Sequence, residues 1–282
     1  MMTSAPFDDW WHNTYGLDVK VLSPPHILLI GGMVAIQLGS CICVSAANAF
    51  TLPNISAPKT YHVLFAIAAG SVISTIYFLF FNAFFLTSHT HNGNYYFYGA
   101  LIFTGCLVMV SRASNYKWAA TAAAGVYMAE YVIMLWLLPL FPASPLVGPV
   151  YNHFDHYQPL GFPLLLIFPA ITIDIVINQV KHIAVWIKIP LAALLFLATF
   201  FVVQWCFGEF YLTSEYSRSW FFGSYSLGYY GDPDYKYRYA YDPWLVEAGK
   251  GLLKNLIYAG IAGTISAAVG YILGSWLKRV KR

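Results

Sequence analysis

The sequence predicts an all-α polytopic membrane protein: one integral membrane domain, residues 1–282, of about seven transmembrane helices with an aromatic-rich extracytoplasmic cap. Three observations predict it. Of the 282 residues, 59% are hydrophobic and 10% are charged, whereas a soluble domain carries about 25% charged residues. So few charges cannot coat a water-facing surface, and lipid is the solvent the composition suits. Apolar runs approaching or exceeding the roughly 20 residues that a helix needs to cross a bilayer recur along the chain. Basic and acidic residues segregate between alternate connections of those runs, as the positive-inside rule requires.

Residues 1–25 lack a basic start and a short apolar stretch, so they do not read as a signal peptide. The first run, 26–50, is its own insertion signal and holds Cys41 and Cys43. The second, 62–86, leads into a loop with His89 and His91. The third, 95–111, is short and contains Cys106. The fourth, 118–141, is rich in small residues from Ala119 to Gly125 and carries Glu130. The fifth, 159–178, contains the string FPLLLIFPAITIDIVIN with two Phe-Pro steps and Asp174. The sixth, 185–207, has Lys188 and Pro190 near its start and Cys206 at its end. The seventh, 252–277, carries Gly270-x3-Gly274. Small residues let helix backbones approach closely in lipid; packing within the chain and dimerisation both use them. The four cysteines, set in apolar runs, read as packing residues or, for Cys41-x-Cys43, as a soft-metal pair.

With the C-terminus inside, the inner connections and their edges hold Lys59, Arg112, Lys117, Lys181, Lys188, Lys278, Arg279, Lys281 and Arg282, nine of the fifteen basic residues. The outer connections hold ten of the twelve acids. This predicts an N-out, C-in topology in a membrane such as a bacterial inner membrane. Six of the eight histidines then fall outside, and only His62 and His182 inside. The long outer segment 208–251 contains nine tyrosines. Such aromatic content argues for a folded cap on the membrane face or against a partner subunit.

Two carboxylates, Glu130 and Asp174, sit inside predicted spans. A charge at bilayer depth is costly, so such residues face a bundle interior and often serve function. Asp174 has a structural alternative, because Asn178 lies one turn on along the same face. His89-x-His91 and His153-Phe-Asp155-His156 are the metal candidates, since imidazole with carboxylate suits copper, zinc and iron. In an extended loop the first pair points to one side; on a helix, His153 and His156 share a face. Interfacial histidines bonded to water are the other reading. No phosphate-binding glycine loop, basic nucleic-acid patch or hydrolase motif is present.

Phe162-Pro163-x4-Phe168-Pro169-Ala170, with an acid in the same run, resembles a stretch in the A subunit of the copper membrane monooxygenases, the particulate methane and ammonia monooxygenase family. Gly125-x4-Glu130-Tyr131 is similar to a Gly-Glu-Trp segment there. Gly228-Tyr229-Tyr230, Asp234-Tyr235 and the ending Trp276-Leu277-Lys278-Arg279 are similar to later parts of that subunit. The resemblance covers residues 125–282. Here the acid follows the second Phe-Pro step about a turn early, Tyr131 stands in place of Trp, and the insert with His153 and His156 has no counterpart. The resemblance implies seven spans and a membrane subunit of a copper-dependent oxidising complex, with most copper ligands in sister subunits. It carries over only Glu130, Asp174 and the Phe-Pro segment. The expected function is therefore such a subunit, with copper on the outer side near His89, His91, His153, Asp155 and His156. The alternatives are an anchoring subunit of a respiratory or other membrane complex and, behind it, a small-solute or proton transporter.

Overall fold

The computed structural model describes residues 4–16, 23–49, 59–84, 90–146, 150–180, 182–223, 231–247 and 250–280. The chain folds as α1 (Ser4–Tyr15), α2 (Pro24–Ala49), α3 (Lys59–Phe80), α4 (Gly93–Ala113), α5 (Ala119–Leu137), α6 (Ile167–Asp174), α7 (Val185–Thr213) and α8 (Lys250–Leu277). Among the described residues the only extended pairing is an isolated bridge between Pro142 and His156. Among the described residues six helices, α2, α3, α4, α5, α7 and α8, are long and apolar enough to cross a membrane. They fit an integral membrane protein.

The helix starts follow local chemistry. Two prolines open α2, where a missing N–H is harmless. Asn92 caps α4 by accepting from the Asn94 N–H at 2.9 Å. The predicted boundaries hold within a few residues, except that α7 runs on to Thr213, inside the stretch assigned to the outer segment.

The fifth predicted span is the correction. Residues 159–166 are not helical, and the helix begins only at Ile167, passing into a π-helical turn at Ile175–Gln179. Pro163 disfavours the helical region for Phe162, and Pro169 falls in the first turn of α6, where no N–H is needed. Leu164 and Leu166 are fully buried, and the Leu164 N–H donates to the Tyr127 hydroxyl at 2.9 Å. Irregular backbone survives in a membrane protein where neighbouring helices bury and bond it. The stretch runs the length of the bundle: residues 141–146 and 150–157 lie beyond the end of α5, whereas Asp174 meets the start of α5.

The bundle is held by two kinds of contact. Between α4 and α8 the backbones approach so closely that a Cβ on Gly270 would collide with the Gly105 carbonyl, and one on Gly274 with that of Met109. Ser266 stitches the same pair, accepting from the Gly105 N–H at 3.0 Å and donating to the Leu101 carbonyl at 2.6 Å. The small-residue motif is thus used within the chain. Elsewhere aromatic rings fill the core: Tyr77 packs edge-on against Tyr127 and Tyr131, with centroids at 5.4 and 4.9 Å, and Phe84 joins them to Tyr95. Helix α2 is peripheral; only 6% of its span is buried. The described basic residues Lys59, Arg112, Lys117, Lys188, Lys278 and Arg279 gather at one end of the bundle. Residues 90–92, 138–146, 150–157, 214–223 and 231–247 gather at the other.

Candidate functional site

Glu130 lies in α5 facing α3. Ser71 and Ser74, one turn apart on α3, donate to its two carboxylate oxygens at 2.6 and 2.5 Å. Ser74 also accepts, through its carbonyl, from the Tyr131 hydroxyl at 3.0 Å. Next to these, Thr75 exchanges hydrogen bonds with Gln37 of α2 at about 3 Å. A polar seam therefore crosses three apolar helices. Ser74, Thr75 and Tyr131 form one wall of an open-sided groove of about 460 Å³ between α2, α3 and α5. Leu29, Met33, Phe78 and Met134 make its apolar sides, and His26 stands at its outer end. The sequence pointed to Glu130; it missed Ser71 and Ser74, whose signal was an i, i+3 pair of hydroxyls in an otherwise apolar helix.

Asp174 is placed differently. Its carboxylate is wholly buried and accepts from Ser111 Oγ at 2.6 Å, from Thr121 N–H and Oγ1 at 2.8 Å each, and from the Ala120 N–H at 3.3 Å. The two N–H groups are orphan donors of the first turn of α5, so Asp174 acts as a remote cap, an anion at a helix N-terminus. Asn178 completes the clasp, donating to Ser111 Oγ and to the Lys117 carbonyl at 2.9 and 3.0 Å. Every lone pair facing the protein is engaged, and the group ties α4, α5 and α6 together. Glu130 and Asp174 are not brought together.

His91 sits between two aromatic faces, Trp205 at 3.8 Å and Tyr241 at 3.7 Å between centroids, both stacked. Its Nε2 lies 2.9 Å from Glu209 Oε1. Burial between the rings outweighs the carboxylate and holds the imidazole below its ordinary pKa. Around it the turn at 90–94 is tied to the segment 241–247. Thr90 Oγ1 donates to the Tyr241 hydroxyl at 3.1 Å, which burial pushes up to about 12. Asn92 donates to the Leu245 carbonyl, and Glu247 accepts from the Gly93 N–H and from Asn255. Glu209, Trp205 and Tyr241 were not anticipated, because their meeting depends on the register between α7 and a distant loop.

The described residues 141–146 and 150–157 of the loop after α5 form no helix, and Pro142 and His156 pair in an extended bridge. Ala143 N–H donates to the Asp155 carbonyl at 2.8 Å, and Tyr157 N–H to the Phe141 carbonyl at 3.1 Å. In extended backbone alternate side chains point to opposite sides, so His153 and Asp155 are exposed while His156 turns inward. His156 Nδ1 lies 3.1 Å from Asp155 Oδ1, a contact that holds the fully exposed carboxyl below its usual range. The shared helical face expected of His153 and His156 is not formed. His89 lies outside the described residues. Among the described residues no three His, Cys, Asp or Glu side chains stand close enough to clasp a metal in the conformation seen. The described members of the expected copper set, His91, His153, Asp155 and His156, are not gathered into one cluster. His91 offers one carboxylate neighbour and has both ring faces covered, and the other three residues belong to a separate loop.

The chain matches no known protein-family model, no curated protein and no solved structure.

Proposed function

We propose that the protein is a multi-pass membrane subunit of a copper-monooxygenase-like oxidising complex, whose metal ligands come mainly from other subunits. One observation carries this reading: Glu130, held by two serines beside a groove that opens between α2, α3 and α5. A carboxylate at that depth, not consumed by a structural clasp as Asp174 is, suits a functional rather than a structural role. In this reading the 460 Å³ groove admits an apolar substrate from the lipid, Ser71 and Ser74 orient the carboxylate, and Tyr131 closes one side. The end bearing residues 90–92 and 138–157 faces away from the cytoplasm and docks the sister subunits, the segment around 214–247 acting as an aromatic cap.

Gentle extraction of the tagged chain from its own membranes tests the proposal. Co-purifying membrane subunits with bound copper, and loss of substrate oxidation in Glu130→Gln without loss of assembly, support it. A stable monomer without partners ends it. A second reading, an anchoring subunit with no site of its own, is favoured by the exposed aromatics Trp244 and Tyr216, 87% and 86% accessible. Under that reading Glu130→Gln leaves the activity of the assembled complex unchanged.

A further inference from the structure

The basic end of the bundle holds a cavity that the candidate sites do not use. Among the described residues α2 packs against α3 and barely touches α8. The four helices α2, α3, α4 and α8 therefore leave about 310 Å³ between them, within the range of roughly 300–1,000 Å³ that ligand pockets occupy. Phe65, Ile73 and Val110 are buried and make an apolar floor, whereas Leu38, Leu273 and Trp276 are exposed and make the rim. The opening between α2 and α8 thus faces lipid. A second recess of about 50 Å³ continues the first toward the helix ends, the two sharing Phe65 and Leu277. Its lining is polar: Tyr61 and His62 from the first turn of α3, Ser114 and Asn115 after α4, and Lys278 after α8. The His62 ring is held in place by stacking on Tyr116, with centroids 5.3 Å apart.

The charge at this recess is one-sided. Partial burial and the neighbouring Arg112 guanidinium hold the Lys278 ammonium below its ordinary pKa. Among the described residues neither cation has a carboxylate within ion-pair distance. Arg112 is steadied instead by Ser275 Oγ, 3.0 Å from its Nε, and by the Tyr271 ring at 5.0 Å. Asp174, the described acid at this end, is already engaged by Ser111, Ala120 and Thr121. Two like charges beside an apolar cavity repel each other, and an anion between them relieves that cost.

We propose that the two connected cavities bind one anionic phospholipid, with its phosphate beside Lys278 and an acyl chain between α2, α3, α4 and α8. The apolar part selects an amphiphile, because a small soluble anion would leave it empty. The unpaired cations select the charge, because a neutral lipid would leave them uncompensated. The depth agrees as well: the polar recess lies at the helix ends, where headgroups lie, and the apolar part lies within the spans. The occupant fills the gap between α8 and α2, a helix that is otherwise peripheral. Since α2 is also a wall of the groove beside Ser74 and Tyr131, the bound lipid steadies that wall.

The test uses the full-length protein, delipidated in detergent and titrated with phosphatidylglycerol or with phosphatidylcholine of the same acyl chains, bound lipid being counted by native mass spectrometry. One tightly retained phosphatidylglycerol per chain is expected, and no retained phosphatidylcholine. Lys278→Gln should weaken retention about fivefold, the size expected for one basic side chain at a headgroup, and Lys188→Gln, which alters another exposed lysine at the same end, should not change it. Leu38→Trp, which fills the cavity from its exposed rim, should also weaken retention, with helicity unaltered. Phosphatidylglycerol should raise the unfolding temperature of the parent protein more than that of Lys278→Gln. Inorganic phosphate and glycerol phosphate should not compete. Equal retention of the two lipids, equal effects of Lys278→Gln and Lys188→Gln, retention that survives Leu38→Trp, competition by the free phosphates, or preferential retention of a neutral quinone overturns the inference. It does not rest on the oxidising-complex reading: an isolated monomer would end that reading and leave this site intact.

Discussion

Single residues show where the core is under tension. Gln204 in α7 is fully buried, and neither end of its amide finds a hydrogen-bond partner among the described residues. An unsatisfied buried polar group costs roughly 1–3 kcal/mol, so Gln204→Leu is expected to stabilise the fold by about that amount. Thermal or denaturant unfolding in detergent measures it, and a loss of stability would mean that the amide has a partner such as a buried water. His91 gives a pH prediction whose sign follows from its lowered pKa. The unfolded chain takes up a proton around the ordinary value of 6.5 and the folded chain does so only at lower pH. The folded state therefore binds fewer protons in that window, and its stability rises with pH there. As pH falls below 6.5 the contacts between the 90–94 turn and residues 241–247 should loosen. Hydrogen exchange at 241–247 should quicken in the parent protein and lose this pH dependence in His91→Phe, which keeps the stacking. Equal acid sensitivity in both proteins would place the switch elsewhere.

At the scale of elements, hydropathy displayed the six long helices because each is an uninterrupted apolar run of the right length. The same signal misled at 159–178, where apolar length cannot distinguish a helix from an extended stretch buried in protein. Pro163 marked the difference, and its effect depends on the Tyr127 hydroxyl being there to satisfy the Leu164 N–H. The candidate carboxylates were legible as buried acids, yet their roles were not. What separates Glu130 from Asp174 is the set of donors that neighbouring helices present, two free-standing serines in one case and the first turn of α5 in the other. This yields a prediction. Asp174→Asn turns one acceptor into a donor facing the Ala120 and Thr121 N–H groups and should cost about 1–3 kcal/mol or more. Glu130→Gln, whose serine partners can rotate, should cost less. Unfolding curves of the two variants decide it, and the reverse order would exchange the roles assigned to the two acids.

At the scale of the whole molecule the question is parity. Six full helices alone would return the chain to the side on which it started. The segment from 159 to 179 bears on the count: it begins beside residues 141–146 and 150–157 at one end of the bundle and finishes with Asp174 against the start of α5 at the other. Its extended half needs no helix to cross, because its backbone is bonded and buried by α5 and its neighbours rather than exposed to lipid. With that segment counted as a crossing, as we propose, the count is odd, and the described ends, α1 beside the start of α2 and Arg279 after α8, lie at opposite ends of the bundle. On that proposal the basic residues at the Arg279 end select the cytoplasmic side. Single cysteines introduced at Ser4 and at Val280, in a background without native cysteines, should react with a membrane-impermeant thiol reagent from opposite sides of intact vesicles, the Val280 position from the cytoplasmic one. Labelling of both from one side would mean that 159–179 re-enters without crossing. In that case the basic end could not face the cytoplasm along its whole set of connections.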